Sequence, residues 1–139
     1  MRSGIKRTIY IIIVVLILLT AYLKWVFWEP SDITQGSLTY WLKVPAVAKQ
    51  FPVWGANSEV LYDVRIADGV KPSFAIINYS SSNTLDQLMS NTKSLGFDCK
   101  VFENKDAVCD KNTGDGKSQQ INITDTSSNR KVNVLLGGY

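Results

Sequence analysis

The chain has 139 residues, 45% of them hydrophobic, with no histidine, two cysteines and a formal charge of +3. Four of its fifteen cations precede residue 29, whereas all twelve acids lie at or beyond it, so residues 29–139 carry eleven cations against twelve acids, a net of −1. That balance excludes the basic footprint of nucleic-acid binding, and the missing histidine excludes Ser-His-Asp and Cys-His nucleophile systems within this chain, together with the commonest zinc ligand.

Residues 8–23 contain no charge and lead through Lys24 into the aromatic cluster Trp25, Phe27 and Trp28. As a helix, residues 8–28 span about 30 Å, the thickness of a bilayer's hydrocarbon core. Arg2, Lys6 and Arg7 precede the run and only Lys24 follows before Glu29 and Asp32, an asymmetry that places residues 1–7 in the cytoplasm and the rest outside. The stem of Lys24 can lie along lipid while its ammonium reaches the headgroups, and Trp25 and Trp28 suit the same interface. Residues 20–25 offer no small-x-small cleavage pair, so the segment reads as an uncleaved signal anchor rather than a removed signal peptide.

Residues 29–58 are broken by Pro30, Pro45 and Pro52 and by Gly36 and Gly55, which forbids one long helix. Leu38, Trp41, Leu42, Phe51 and Trp54 make the stretch too apolar for a disordered tether. A short helix near 37–43 followed by a packed or membrane-skimming connection is expected. Its aromatic residues can cap the domain's core, dock a protein partner or touch lipid at the interface. Leu38, Tyr40, Trp41, Phe51 and Trp54 are the candidate partner-binding residues.

The regular domain is expected over 59–139. Val60, Tyr62, Val64 and Ile66 alternate with Leu61, Asp63 and Arg65, the period of a half-buried strand. A turn over 67–72 leads to a returning strand at 74–79, whose apolar run suits a central position. Thr84 and Gln87 form a capping box, Leu85, Leu88, Met89, Thr92 and Leu95 recur at helical spacing, and Gly96 stands at the C-terminal stop, so a helix is expected over 84–95. Residues 97–102 and 106–110 form a hairpin around 103–105. Setting Phe102 against Asp106 puts Val101 opposite Ala107 and Cys99 opposite Cys109, so strand register and an extracytoplasmic location both predict a Cys99–Cys109 disulfide. After a polar loop at 111–118, residues 119–125 and 130–136 form a second hairpin; opposing Asp125 with Arg130 aligns Ile123 with Val132 and Ile121 with Val134. The order strand, strand, helix, four strands gives an α+β domain, an antiparallel sheet with one packed helix and one disulfide.

The motifs that carry chemistry fail on spacing. Residues 114–118 end in Lys-Ser, but a phosphate loop needs glycine at position 111, which is Lys111. Asp110, Asn112 and Asp115 resemble the start of a calcium loop, yet the positions that require glycine and glutamate hold Asp115 and Ile121. Ser80, Ser81 and Ser82 lie where backbone N–H groups can hold an anion, though ordinary capping explains them. Asp63, Asp68 and Asp98 are the carboxylates nearest strand ends, and solvated surface acids explain them as well. Asn78 and Asn122 each begin a glycosylation sequon inside an expected strand, and residues 136–139 read as a frayed tail. No catalytic residue, metal ligand or cofactor is assigned. The expectation is a single-pass bacterial inner-membrane protein, non-enzymatic, whose periplasmic domain binds another protein. The partner is a toxin or hydrolase, which makes the chain an immunity or inhibitor protein, or an integral-membrane complex to which it belongs as an accessory subunit. A carboxylate-based envelope enzyme is the contrasting class.

Overall fold

The computed structural model describes residues 2–67, 72–103, 106–114, 117–126 and 129–138. The turn expected over 67–72, the loops at 103–105 and 111–118, and the terminal Tyr139 lie partly or wholly outside these residues, as do Asp68 and Asp115.

Helix α1 runs from Arg2 to Val26, and its portion Lys6–Val26 is long and apolar enough to cross a membrane, with none of that span buried against the rest of the chain. The helix ends at Val26, four residues before Pro30, which has no N–H to donate to the Val26 carbonyl and whose ring would crowd it; Phe27 N–H still donates to Leu23 O and Trp28 N–H to Trp25 O as the last turn unwinds.

Residues after α1 join the fold earlier than residue 59. Strand β1 (Ile33–Thr34) pairs antiparallel with β2 (Leu61–Arg65), setting Ile33 against Tyr62. Gly36 turns the chain at φ +87°, and Ser37 caps helix α2 (Leu38–Lys43) by accepting from Tyr40 N–H at 3.1 Å. Val44 is extended ahead of Pro45, and a further short helix, α3 (Ala46–Lys49), follows that proline. Tyr40, Val44 and Ala48 point into the core. The boundary expected at residue 59 is therefore corrected: the inward set Tyr40, Val44 and Ala48 is divided between α2, the extended residue before Pro45 and α3, so no single element displays it as a burial period.

The rest follows the expected order. Strand β3 (Phe74–Ser81) pairs with β2, and helix α4 (Leu85–Ser94) carries the Thr84–Gln87 capping box and stops before Gly96, whose φ is +84°. Strands β4 (Asp98–Val101), β5 (Ala107–Asn112), β6 (Ser118–Asp125) and β7 (Arg130–Gly137) form an antiparallel meander. Cys99 faces Cys109 and the disulfide is formed; Ile123 faces Val132 and Ile121 faces Val134. Strands β5 and β6 reach to Asn112 and from Ser118, into the stretch expected as loop.

The seven strands lie in the order β1-β2-β3-β7-β6-β5-β4. Helix α4 thus carries the chain from the middle of the sheet to its far edge, and the meander brings β7 back against β3. Alternate residues fill one face: Tyr62 and Val64, Ala75, Ile77 and Tyr79, Cys109, Ile121 and Ile123, then Val132, Val134 and Leu136 are all buried. The helices cover this face, with Leu88 and Thr92 of α4 buried at one end and Tyr40 and Ala48 at the other. Phe51 bridges the two halves, its ring 5.9 Å from Trp54 and 6.5 Å from Phe97. The exposed edge β4 is four residues long and carries Asp98 and Lys100, features that discourage edge-to-edge pairing.

Candidate functional site

Two surfaces are left without an internal partner. The first is the sheet face opposite the helices. Period-two alternation gives it Leu61, Asp63, Ile76, Asn78, Asn133, Leu135, Asn122 and Gln120, all half-buried by their neighbours rather than covered by any described element. Its centre is a row of amides held in register. Asn133 Nδ2 donates to Asn78 Oδ1 at 2.6 Å and Asn78 Nδ2 to Asp63 Oδ2 at 3.1 Å, while the other oxygen of Asp63 accepts from Asp32 N–H at 2.7 Å. On the far side Gln120 Nε2 donates to Asp110 Oδ1 at 2.9 Å. A shallow groove of about 400 Å³ runs beside this row, lined by Glu59, Leu61, Asn78, Asn122, Lys131 and Asn133. The face offers paired donors and acceptors next to aliphatic side chains, and the groove is lined by one acid, Glu59, and one base, Lys131. Sequence reasoning missed it, although its signal was present: asparagines at the outward positions of three apolar strands.

The second surface is on α2, beside the end of α1. Leu38, Trp41 and Leu42 are exposed to 75, 65 and 57%. They occupy positions i, i+3 and i+4, which share one helix face. Lys43 ties this helix to α1: its Nζ donates to Trp25 O at 2.6 Å and sits 4.7 Å from the centre of the Trp25 ring. Lys49 Nζ donates to Trp41 O at 2.9 Å and lies over the rings of Tyr40 and Trp41. Trp25 and Trp28 stack at a tilt, 5.8 Å apart, and both are exposed, as is Lys24.

The expected partner-binding set therefore splits. Leu38 and Trp41 face outward. Tyr40 does not: it is 4% exposed and packs its ring 5.1 Å from Tyr62, which corrects its assignment to a binding surface. Phe51 and Trp54 are half-buried against the core. Leu42, Lys43 and Lys49 belong to the outward surface and carried no sequence signal that separated them from their neighbours.

Burial, with the Tyr40 hydroxyl beside it, pushes the Tyr62 phenol up to about 12. Tyr79 is raised for the same reason, burial, against which the hydrogen bond with the Trp54 backbone works. The serines at the β3–α4 junction have their donors engaged: Ser80 N–H by Ser58 Oγ, the Ser81 hydroxyl by Trp54 O and Ser82 N–H by Gly55 O. Asp63 and Asp98 stand on strands five steps apart, roughly 24 Å at the usual strand spacing, so they share no cleft. Among the described residues no three cysteine or acidic side chains gather as a metal site. Compared with known proteins, the chain matches no family model, no curated protein and no solved structure.

Proposed function

We propose that the chain is a single-pass bacterial inner-membrane protein whose α1 spans the bilayer, with the N-terminus cytoplasmic and a non-enzymatic periplasmic domain that binds another protein through the uncovered face of its sheet. Support for the span comes from the length and exposure of Lys6–Val26 and from the basic residues on its N-terminal side. Disulfide formation between Cys99 and Cys109 fits an oxidising compartment. The observation that carries the binding reading is the amide row through Asp63, Asn78 and Asn133. Side chains locked by one another present donors and acceptors at a small entropic cost of ordering, and aliphatic neighbours supply area, the mixture typical of non-obligate protein interfaces.

An immunity or inhibitor protein fits this face best, since a lone anchored domain needs no further subunit to hold a periplasmic toxin or hydrolase. The accessory-subunit reading is favoured by a different observation, the apolar patch of α2 beside the anchor. Purification of the full chain from gently solubilised membranes tests the proposal: the partner is recovered with the native chain and lost with Thr124→Arg or Lys131→Glu, both exposed positions on the uncovered face. Retention of the partner by both variants contradicts the assignment of the face. Replacing α1 by an unrelated membrane anchor separates the two readings, because an inhibitor keeps its activity and a subunit loses it.

A further inference from the structure

Helix α2 inverts the usual logic of a surface helix. An amphipathic helix on a domain turns polar residues outward, yet α2 buries Tyr40 and turns Leu38, Trp41 and Leu42 to the outside. Three features say what covers them. The patch is continuous with the aromatic end of α1, because Lys43 bridges α2 to Trp25 by a hydrogen bond of 2.6 Å and a ring contact of 4.7 Å. The charged side chains with contacts to α2 are cationic, Lys43 and Lys49, while the neighbouring Glu29 is engaged by Arg65 at 3.4 Å and by Ile66 N–H at 2.9 Å. Its size is small. One tryptophan and two leucines offer a few hundred Å² at most, well short of the roughly 800 Å² per partner of a stable protein interface, whereas a short apolar face with tryptophan and lysine is sufficient to seat a helix at the headgroup boundary.

We infer that α2 lies in the headgroup layer of an anionic phospholipid bilayer, with Leu38, Trp41 and Leu42 inserted beside the Trp25–Trp28 end of α1. The domain is thereby seated on the membrane surface in a fixed orientation instead of swinging on a tether. This rests on the reading of α1 as membrane-spanning. Lys43 and Lys49 stay at the phosphate level, and the chain between α1 and α2 is pinned to β2, Pro30 O accepting from Val64 N–H at 3.1 Å and Asp63 Oδ1 from Asp32 N–H at 2.7 Å.

The test uses the full chain in nanodiscs of phosphatidylcholine and phosphatidylglycerol, with and without bromine on the acyl chains. Single-tryptophan variants report each level: one retains Trp41 through Trp25→Phe, Trp28→Phe and Trp54→Phe, and another retains Trp25 through Trp28→Phe, Trp41→Phe and Trp54→Phe. The expected result is that brominated lipid quenches Trp41 to an extent comparable with Trp25, that Trp41 emission is blue-shifted relative to tryptophan in water, and that Leu38→Ser with Leu42→Ser reduces its quenching. Quenching of Trp25 with Trp41 unquenched overturns the seating of α2 and leaves the anchor standing, and so does crosslinking of position 41 to a protein in native membranes in place of lipid. Absence of quenching at both positions overturns the membrane span itself, and with it this inference.

Discussion

Tyr40 and Trp41 are neighbours in sequence and have opposite fates, one 4% and the other 65% exposed. Side-chain direction on one turn of helix decides which residue meets Tyr62 and which faces outward. Composition cannot decide it, which is why the aromatic residues of 37–54 were legible as a group and not one by one. The buried partner leaves a chemical trace. In the unfolded chain Tyr62 loses its proton near 10, whereas in the folded domain burial and Tyr40 hold it neutral up to about 12. The folded state then binds more protons than the unfolded state across that window, so stability is complete below pH 10 and falls as pH rises towards 12. Denaturant titrations of the full chain in detergent should show this loss, and Tyr62→Phe should reduce it to the part contributed by the buried Tyr79; an alkaline slope unchanged by the substitution contradicts the placement of the phenol. Gly55 gives a second test at this scale. Its φ is +59° and an added Cβ would meet the side chain of Asn83, so Gly55→Ala strains the backbone and displaces Asn83 together. A loss of about 1 kcal/mol or more is expected in thermal or chemical unfolding.

Elements were the most legible level. Helix α4 follows from a capping box, an apolar stripe and a terminal glycine, and Thr84→Ala should cost about 1 kcal/mol because it removes the acceptor for Gln87 N–H. The β4–β5 and β6–β7 registers followed from matching apolar faces across short loops, since a slip by one residue would turn every side chain to the other face. Reduction of Cys99–Cys109, or Cys99→Ala with Cys109→Ala, should destabilise the domain by about 2–3 kcal/mol by releasing the ten-residue separation the bond closes. Equal midpoints for the oxidised and reduced chain would contradict that. Illegible elements were those whose partners are remote. The two-residue β1 has no pattern of its own and exists because β2 offers an edge, and Lys111, Asn112 and Ser118, at the ends of the stretch read as loop, are strand because β5 and β6 continue to pair from Lys111–Gln119 to Asn112–Ser118.

At the scale of the whole molecule, the strand list did not reveal the sheet. Several strand orders satisfy the same hairpins, and the pairing of β3 with β7, from Phe74 opposite Gly137 to Ser81 opposite Arg130, joins segments far apart in the chain. That pairing aligns Asn78 with Asn133 and, through β6, Asn133 with Asn122. The amide row is therefore a product of topology and could not be assembled from any one segment, whereas the helix suited to a membrane is visible in composition alone. An apolar helix, a patch beside its end and an uncovered polar face together underlie the proposal of a domain held at a membrane surface with one side free for a partner. In vivo photocrosslinking in the native host tests this most directly, with a photoreactive amino acid at position 124 or 131 on the uncovered face and at position 90 on α4 as the comparison. The account predicts one discrete crosslinked protein from 124 and 131 and none from 90. Crosslinks absent from the uncovered face, or arising only from position 90, would contradict it.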